Sequence, residues 1–127
     1  MSYIELGQKE GARLGAGGGR PPQPELARGF FLMPTIFDQV KQTMRLAQEE
    51  IFGPVQAVLT WRDENELIQM ANSVKYGLTA SVWSRDFAAA YRLAREIEAG
   101  YIWINDSSRH LPGVPFGGVK QSGLGRE

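Results

Sequence analysis

An α/β fold, a three-layer, mostly parallel sheet with helices on both faces, is predicted by three features of residues 54–104. Apolar, β-prone runs at 55–61, 79–83 and 101–104 alternate with two stretches whose apolar residues recur at helical spacing. Each helical stretch starts at an aspartate, Asp63 or Asp86, a residue type whose side chain accepts a first-turn amide. Tyr76-Gly77 and Gly100 supply the stops, because glycine adopts the left-handed conformation that ends a helix. Strand, helix, strand, helix, strand implies two right-handed crossovers and a parallel sheet covered by helices.

The elements follow in chain order. Residues 2–14 carry Ile4 and Leu6 near one end and Ala12 and Leu14 near the other, which predicts a helix running into a short strand. A Gly/Pro loop at about 15–28 follows, flexible because glycine is conformationally free and proline lacks an amide donor. Its glycines precede neither Lys-Ser nor Lys-Thr nor a helix start, so a connection is favoured over a phosphate cradle. Residues 30–37 are apolar and β-prone, with Pro34 suiting a strand end or edge, and 44–48 suit a short helix. Glu66, three residues after Asp63, completes a capping signature, and Leu67, Ala71 and Val74 share a helical face. On the next helix Phe87, Ala90, Tyr91, Ala94 and Ile97 share another. Trp61, Trp83 and Trp103 fall on the three strands and read as core or interface packing.

Composition narrows the function classes. At 127 residues, with 43% apolar and 22% charged content, one packed core is feasible. Fourteen basic and fourteen acidic residues cancel without forming a basic stripe, so nucleic acid is not expected as a partner. No apolar run approaches the roughly 18–20 residues that span a bilayer, and the first residues show no basic segment leading into an apolar one, so the expectation is a cytoplasmic protein with no membrane partner. Cysteine is absent, which removes disulfides, cysteine-metal sites and any thiol nucleophile.

Ligands of parallel α/β sheets sit beyond the carboxyl ends of the strands. The long irregular loop after Ile104, residues 105–118, is therefore the segment to inspect. From the residues alone, Asn105 reads as a turn at a strand end, and His110, the one histidine, reads as a surface residue. Glu50 reads as a solvated carboxylate and Phe52 as a core ring at a strand entrance.

Four runs in register then resemble one family: Glu49-Glu50-Ile51-Phe52-Gly53-Pro54-Val55, Tyr76-Gly77-Leu78-Thr79-Ala80, Ala99-Gly100-Tyr101-Ile102-Trp103-Ile104-Asn105, and 115–126, which opens Pro115-Phe116-Gly117-Gly118. The match to the NAD(P)-dependent aldehyde dehydrogenase superfamily is ordered and covers nearly the whole chain, as the C-terminal part of the catalytic domain. It implies an oxidoreductase in which a cysteine thiolate adds to an aldehyde, hydride leaves to NAD or NADP, and a glutamate-activated water releases the acid. In the family, the cysteine, the glutamate base and the main Rossmann platform precede the matching segment, and a subunit-pairing segment follows it. The expectation is thus a single partial catalytic domain over 1–127, with no catalytic residue of its own, no metal, weak NAD(P) binding and no turnover alone, from an enzyme that is a homo-oligomer.

By resemblance, Glu50 accepts hydrogen bonds from the ribose hydroxyls on the nicotinamide side, and Phe52 packs beside that ribose and the nicotinamide. Asn105 supports the active site. Phe116 resembles an aromatic wall of the aldehyde tunnel, with Ser108 and His110 in the loop that shapes substrate choice. The alternative is a stand-alone module of the same fold that self-associates or complements another chain.

Overall fold

The computed structural model describes all of residues 1–127, which divide into two compact units, residues 1–60 and 61–127. The class is α/β. The first unit holds α1 (Ser2–Lys9), β1 (Arg13–Ala16), a 3₁₀ turn (Pro24–Leu26), β2 (Thr35–Asp38), α2 (Arg45–Gln48) and β3 (Val55–Ala57). Its sheet has the order β1-β2-β3, with β1 antiparallel and β3 parallel to β2. The core is Ile4, Ala12, Phe37, Val40, Met44 and Leu46, around a Phe37 with no exposed surface. Gly7 makes that packing possible, since a Cβ there would stand 3.0 Å from Leu46 Cδ1 and 3.1 Å from Phe37 Cζ.

The second unit holds α3 (Glu64–Asn72), β4 (Tyr76–Gly77), β5 (Thr79–Val82), α4 (Phe87–Glu96), β6 (Tyr101–Ile104) and β7 (Val119–Lys120). β5 and β6 pair in parallel across the α4 crossover, and β4 pairs antiparallel with β7. Both expected caps form: Asp63 Oδ1 accepts the Glu66 amide at 3.0 Å, and Asp86 Oδ1 accepts the Ala89 amide at 3.1 Å. Val82, Ala90 and Leu93 form the core, flanked by Ile97, Ile102 and Ile104.

Several sequence expectations are corrected. The second parallel ladder joins β3 to β2 across α2, whereas the sequence implied one parallel sheet through 55–61, 79–83 and 101–104; the strands are distributed over three sheets. The helix running into a short strand over 2–14 forms as α1 and β1, but β1 takes Gly15 out of the glycine loop by pairing with β2. The strand expected over 30–37 is confined to Thr35–Asp38, because Pro34 interrupts the donors before it, and Phe30 is fully exposed. Residues 55–61 contribute only Val55–Ala57. On α4 the buried residues are Ala90 and Leu93, with Ala94 and the C-cap Ile97 partly buried beside them, while Phe87 and Tyr91 are exposed, stacked with centroids 6.2 Å apart. Trp61 and Trp83 are exposed, and only Trp103 is half-buried. No helix is long and apolar enough to cross a membrane.

Candidate functional site

In the first unit, residues 51–55 fold as two successive three-residue turns. The Gly53 amide donates to the Ile51 carbonyl at 2.9 Å, and the Val55 amide donates to the Gly53 carbonyl at 2.8 Å. Phe52 and Pro54 are the central residues, and the proline ring restricts φ to the range such a turn needs. The Thr35 amide fastens the turn to β2 through the Pro54 carbonyl at 2.8 Å. Phe52 is thereby held out at an apex, 95% exposed. The core role read from spacing alone is corrected: a central residue of so tight a turn points away from the sheet.

Neighbouring carboxylates divide their roles. Glu49 Oε2 accepts the Tyr3 hydroxyl at 2.8 Å and Arg45 Nη2 at 2.9 Å, and its Oε1 accepts Arg45 Nε at 2.8 Å, so Glu49 ties α1 to α2. Glu50 is exposed and accepts no hydrogen bond from the chain. It lines a cleft of about 300 Å³ with Phe52, Leu32, Tyr3 and Val55. A free carboxylate beside an exposed ring on a rigid turn suits a flat ligand bearing vicinal hydroxyls.

In the second unit β6 alternates. Ile102 and Ile104 pack against the core, opposite Ala80 and Val82 of β5. Tyr101 and Trp103, paired with Thr79 and Ser81, share the other face. The loop returns over that face. His110 lies with its ring centroid 4.5 Å from Phe116, 5.9 Å from Trp103 and 6.0 Å from Tyr101, and Tyr101 is 5.6 Å from Phe116. The indole Nε1–H of Trp103 donates to the Arg109 carbonyl at 2.8 Å.

Asn105 has φ +54, a conformation asparagine tolerates. Its Oδ1 accepts the Ser84 amide at 2.9 Å and its Nδ2 donates to the Ser84 carbonyl at 3.0 Å, clasping the carboxyl ends of β5 and β6. The loop thus leaves the sheet from a fixed point. The glycine motif after it permits close backbone packing: a Cβ on Gly100 would sit 1.7 Å from the Gly117 carbonyl oxygen. Lys120 Nζ donates to the carbonyls of Asn72 at 2.7 Å and Val74 at 3.1 Å and pairs with Glu98 at 2.7 Å.

Among the sequence-derived site residues, Glu50 and Phe52 share one cleft, and His110 and Phe116 share one ring cluster. Ser108 is exposed at φ +59, outside that cluster. Sequence reasoning passed over Tyr101 and Trp103 as loop supports; the alternation Tyr-Ile-Trp-Ile was the available signal, since period two assigns the aromatic residues to one face.

The model of the aldehyde dehydrogenase family matches residues 1–127. The chain is similar to the aldehyde dehydrogenase tropH of Talaromyces stipitatus, 48% identical over 100% of the chain and 25% of that protein. It is also similar to betaine aldehyde dehydrogenase of Bacillus subtilis, 49% identical over 98% of the chain and 26% of that protein. Among solved structures, betaine aldehyde dehydrogenase from Staphylococcus aureus in complex with NAD+ superposes with a TM-score of 0.96, at 42% identity over 98% of the chain and 25% of that structure's chain. The chain spans about a quarter of the length of the curated relatives it matches. The match of the family model to all of residues 1–127 establishes that the chain belongs to the aldehyde dehydrogenase family.

Proposed function

We propose that these residues serve as the cofactor edge and aldehyde-facing wall of an NAD(P)-dependent aldehyde dehydrogenase catalytic domain. The observation that carries this reading is the rigid turn holding Phe52 in solvent beside the unpartnered carboxylate of Glu50. Glu50 accepts the two hydroxyls of the nicotinamide-side ribose, and Phe52 packs against the same group and limits its rotation. The bound NAD(P) supplies a hydride acceptor. On the second unit, Phe116 and His110 offer an apolar and aromatic wall to the aldehyde, Ser108 stands at the loop surface, and Asn105 fixes the loop's origin.

The chain contains no cysteine, so the thiolate this chemistry requires is not among these 127 residues, and the chain alone performs no turnover. The test combines the chain, NAD and betaine aldehyde: no NADH absorbance above the uncatalysed rate is expected, and measurable turnover contradicts the reading.

A second reading, a module that associates with itself or complements another chain, is favoured by the exposure of Phe30, Phe52, Trp83 and Phe87. Light scattering tests it; a monomer of ordinary solubility contradicts it.

A further inference from the structure

We propose that Trp103 is a positioning residue: its indole N–H, holding the Arg109 carbonyl, sets where His110 lies against Phe116 and so shapes the aromatic wall of the 105–118 loop. The loop's origin is fixed by the Asn105 clasp and its far end by Phe116, which exchanges backbone hydrogen bonds with Glu127 at 3.2 and 2.9 Å. Between these anchors the chain must cross the outer face of β6. The 2.8 Å bond from Trp103 Nε1 to Arg109 ties the middle of the loop to that strand, one residue before His110. Indole offers a donor and no acceptor, so it selects a carbonyl. Tyr101, on the same face, contacts Trp103 at 4.8 Å between centroids and backs His110 and Phe116.

The arrangement separates function by face. Ile102 and Ile104 hold β6 in the core, while Trp103 acts on the loop. A change in the indole donor should therefore move His110 without unfolding the strand. That this wall faces an aldehyde rests on the functional reading above; the positioning role does not.

His110 is the only histidine, so its imidazole resonances in the 127-residue chain are unambiguous. Replacement of Trp103 by β-(3-benzothienyl)alanine exchanges the N–H for sulfur and keeps the ring. The expected result is loss of the His110–Phe116 nuclear Overhauser contact and a shift of the imidazole protons toward their unfolded positions, with Ile102 and Ile104 methyl signals unchanged. Retention of that contact and those shifts overturns the proposal. In the unmodified chain, the Trp103 indole proton should exchange at least about tenfold more slowly than in free indole; exchange at the free rate overturns the proposal even if the variant fails to fold. Neither readout involves NAD or aldehyde, so failure here is distinct from failure of the functional reading.

Discussion

The ammonium of Lys120 donates to the main-chain carbonyl of Asn72 at 2.7 Å, joining the motif after the glycine pair to the C-terminal end of α3. A cation there meets the negative end of the helix dipole and satisfies carbonyls that the helix leaves open. Lys120→Met should therefore lower stability by about 1–2 kcal/mol. Urea unfolding checks this as a lower midpoint at unchanged slope; an unchanged midpoint contradicts the clasp.

Gly100→Ala should be far more damaging. The added Cβ would fall 1.7 Å from the Gly117 oxygen, and both partners are backbone. A loss of about 3 kcal/mol or more is expected. Gly53→Ala meets nothing within 4 Å and should change the unfolding midpoint little, so similar midpoints for the two variants would refute the close approach.

The Asn105 clasp yields a graded result. Asn105→Ala removes both bonds to Ser84 and places alanine at positive φ, costing about 1–3 kcal/mol. Asn105→Gly loses the same bonds and accepts that φ, so it should lie between wild type and alanine in thermal unfolding. Alanine more stable than glycine would contradict this account.

Acid should weaken both units. The Arg13 guanidinium hydrogen-bonded to Asp38, assisted by the Gln39 amide, holds the Asp38 carboxyl below its ordinary value; Arg62 acts likewise on Glu66 through its side chain and amide. A depressed folded pKa gives stability that is present above the unfolded pKa and lost as pH falls through the folded one. The loss should thus begin below about pH 4, the ordinary carboxylate range. Asp38→Asn and Glu66→Gln should each flatten this acid limb, which denaturant midpoints between neutral and acidic pH record; an unaltered limb in both variants contradicts it.

These contacts mark what the sequence disclosed. Local signals were legible: Asp63 and Asp86 act on amides three residues away. Pairings set over distance were not. Nothing near Val55 indicates that its ladder partner is Thr35, nor does Tyr76-Gly77 reveal that it pairs with Val119-Lys120. The outward position of Phe87 and Tyr91 was missed because helical spacing groups residues within an arc and leaves its centre open, and packing on β6 fixed that centre at Ala90 and Leu93. At the candidate site, Glu50 and Phe52 were picked out by resemblance, whereas the loop anchor from Trp103 to Arg109 depends on how the loop folds back.

The central claim is that Glu50 and Phe52 form a nicotinamide-ribose edge. Its most direct test is titration of the isotopically labelled chain with NAD+ to concentrations on the order of 1 mM or above, followed by amide chemical shifts. The account predicts saturable shifts concentrated at residues 50–53 and abolished by Glu50→Ala with Phe52→Ala. Shifts absent from that turn, or unchanged in the double variant, would contradict it.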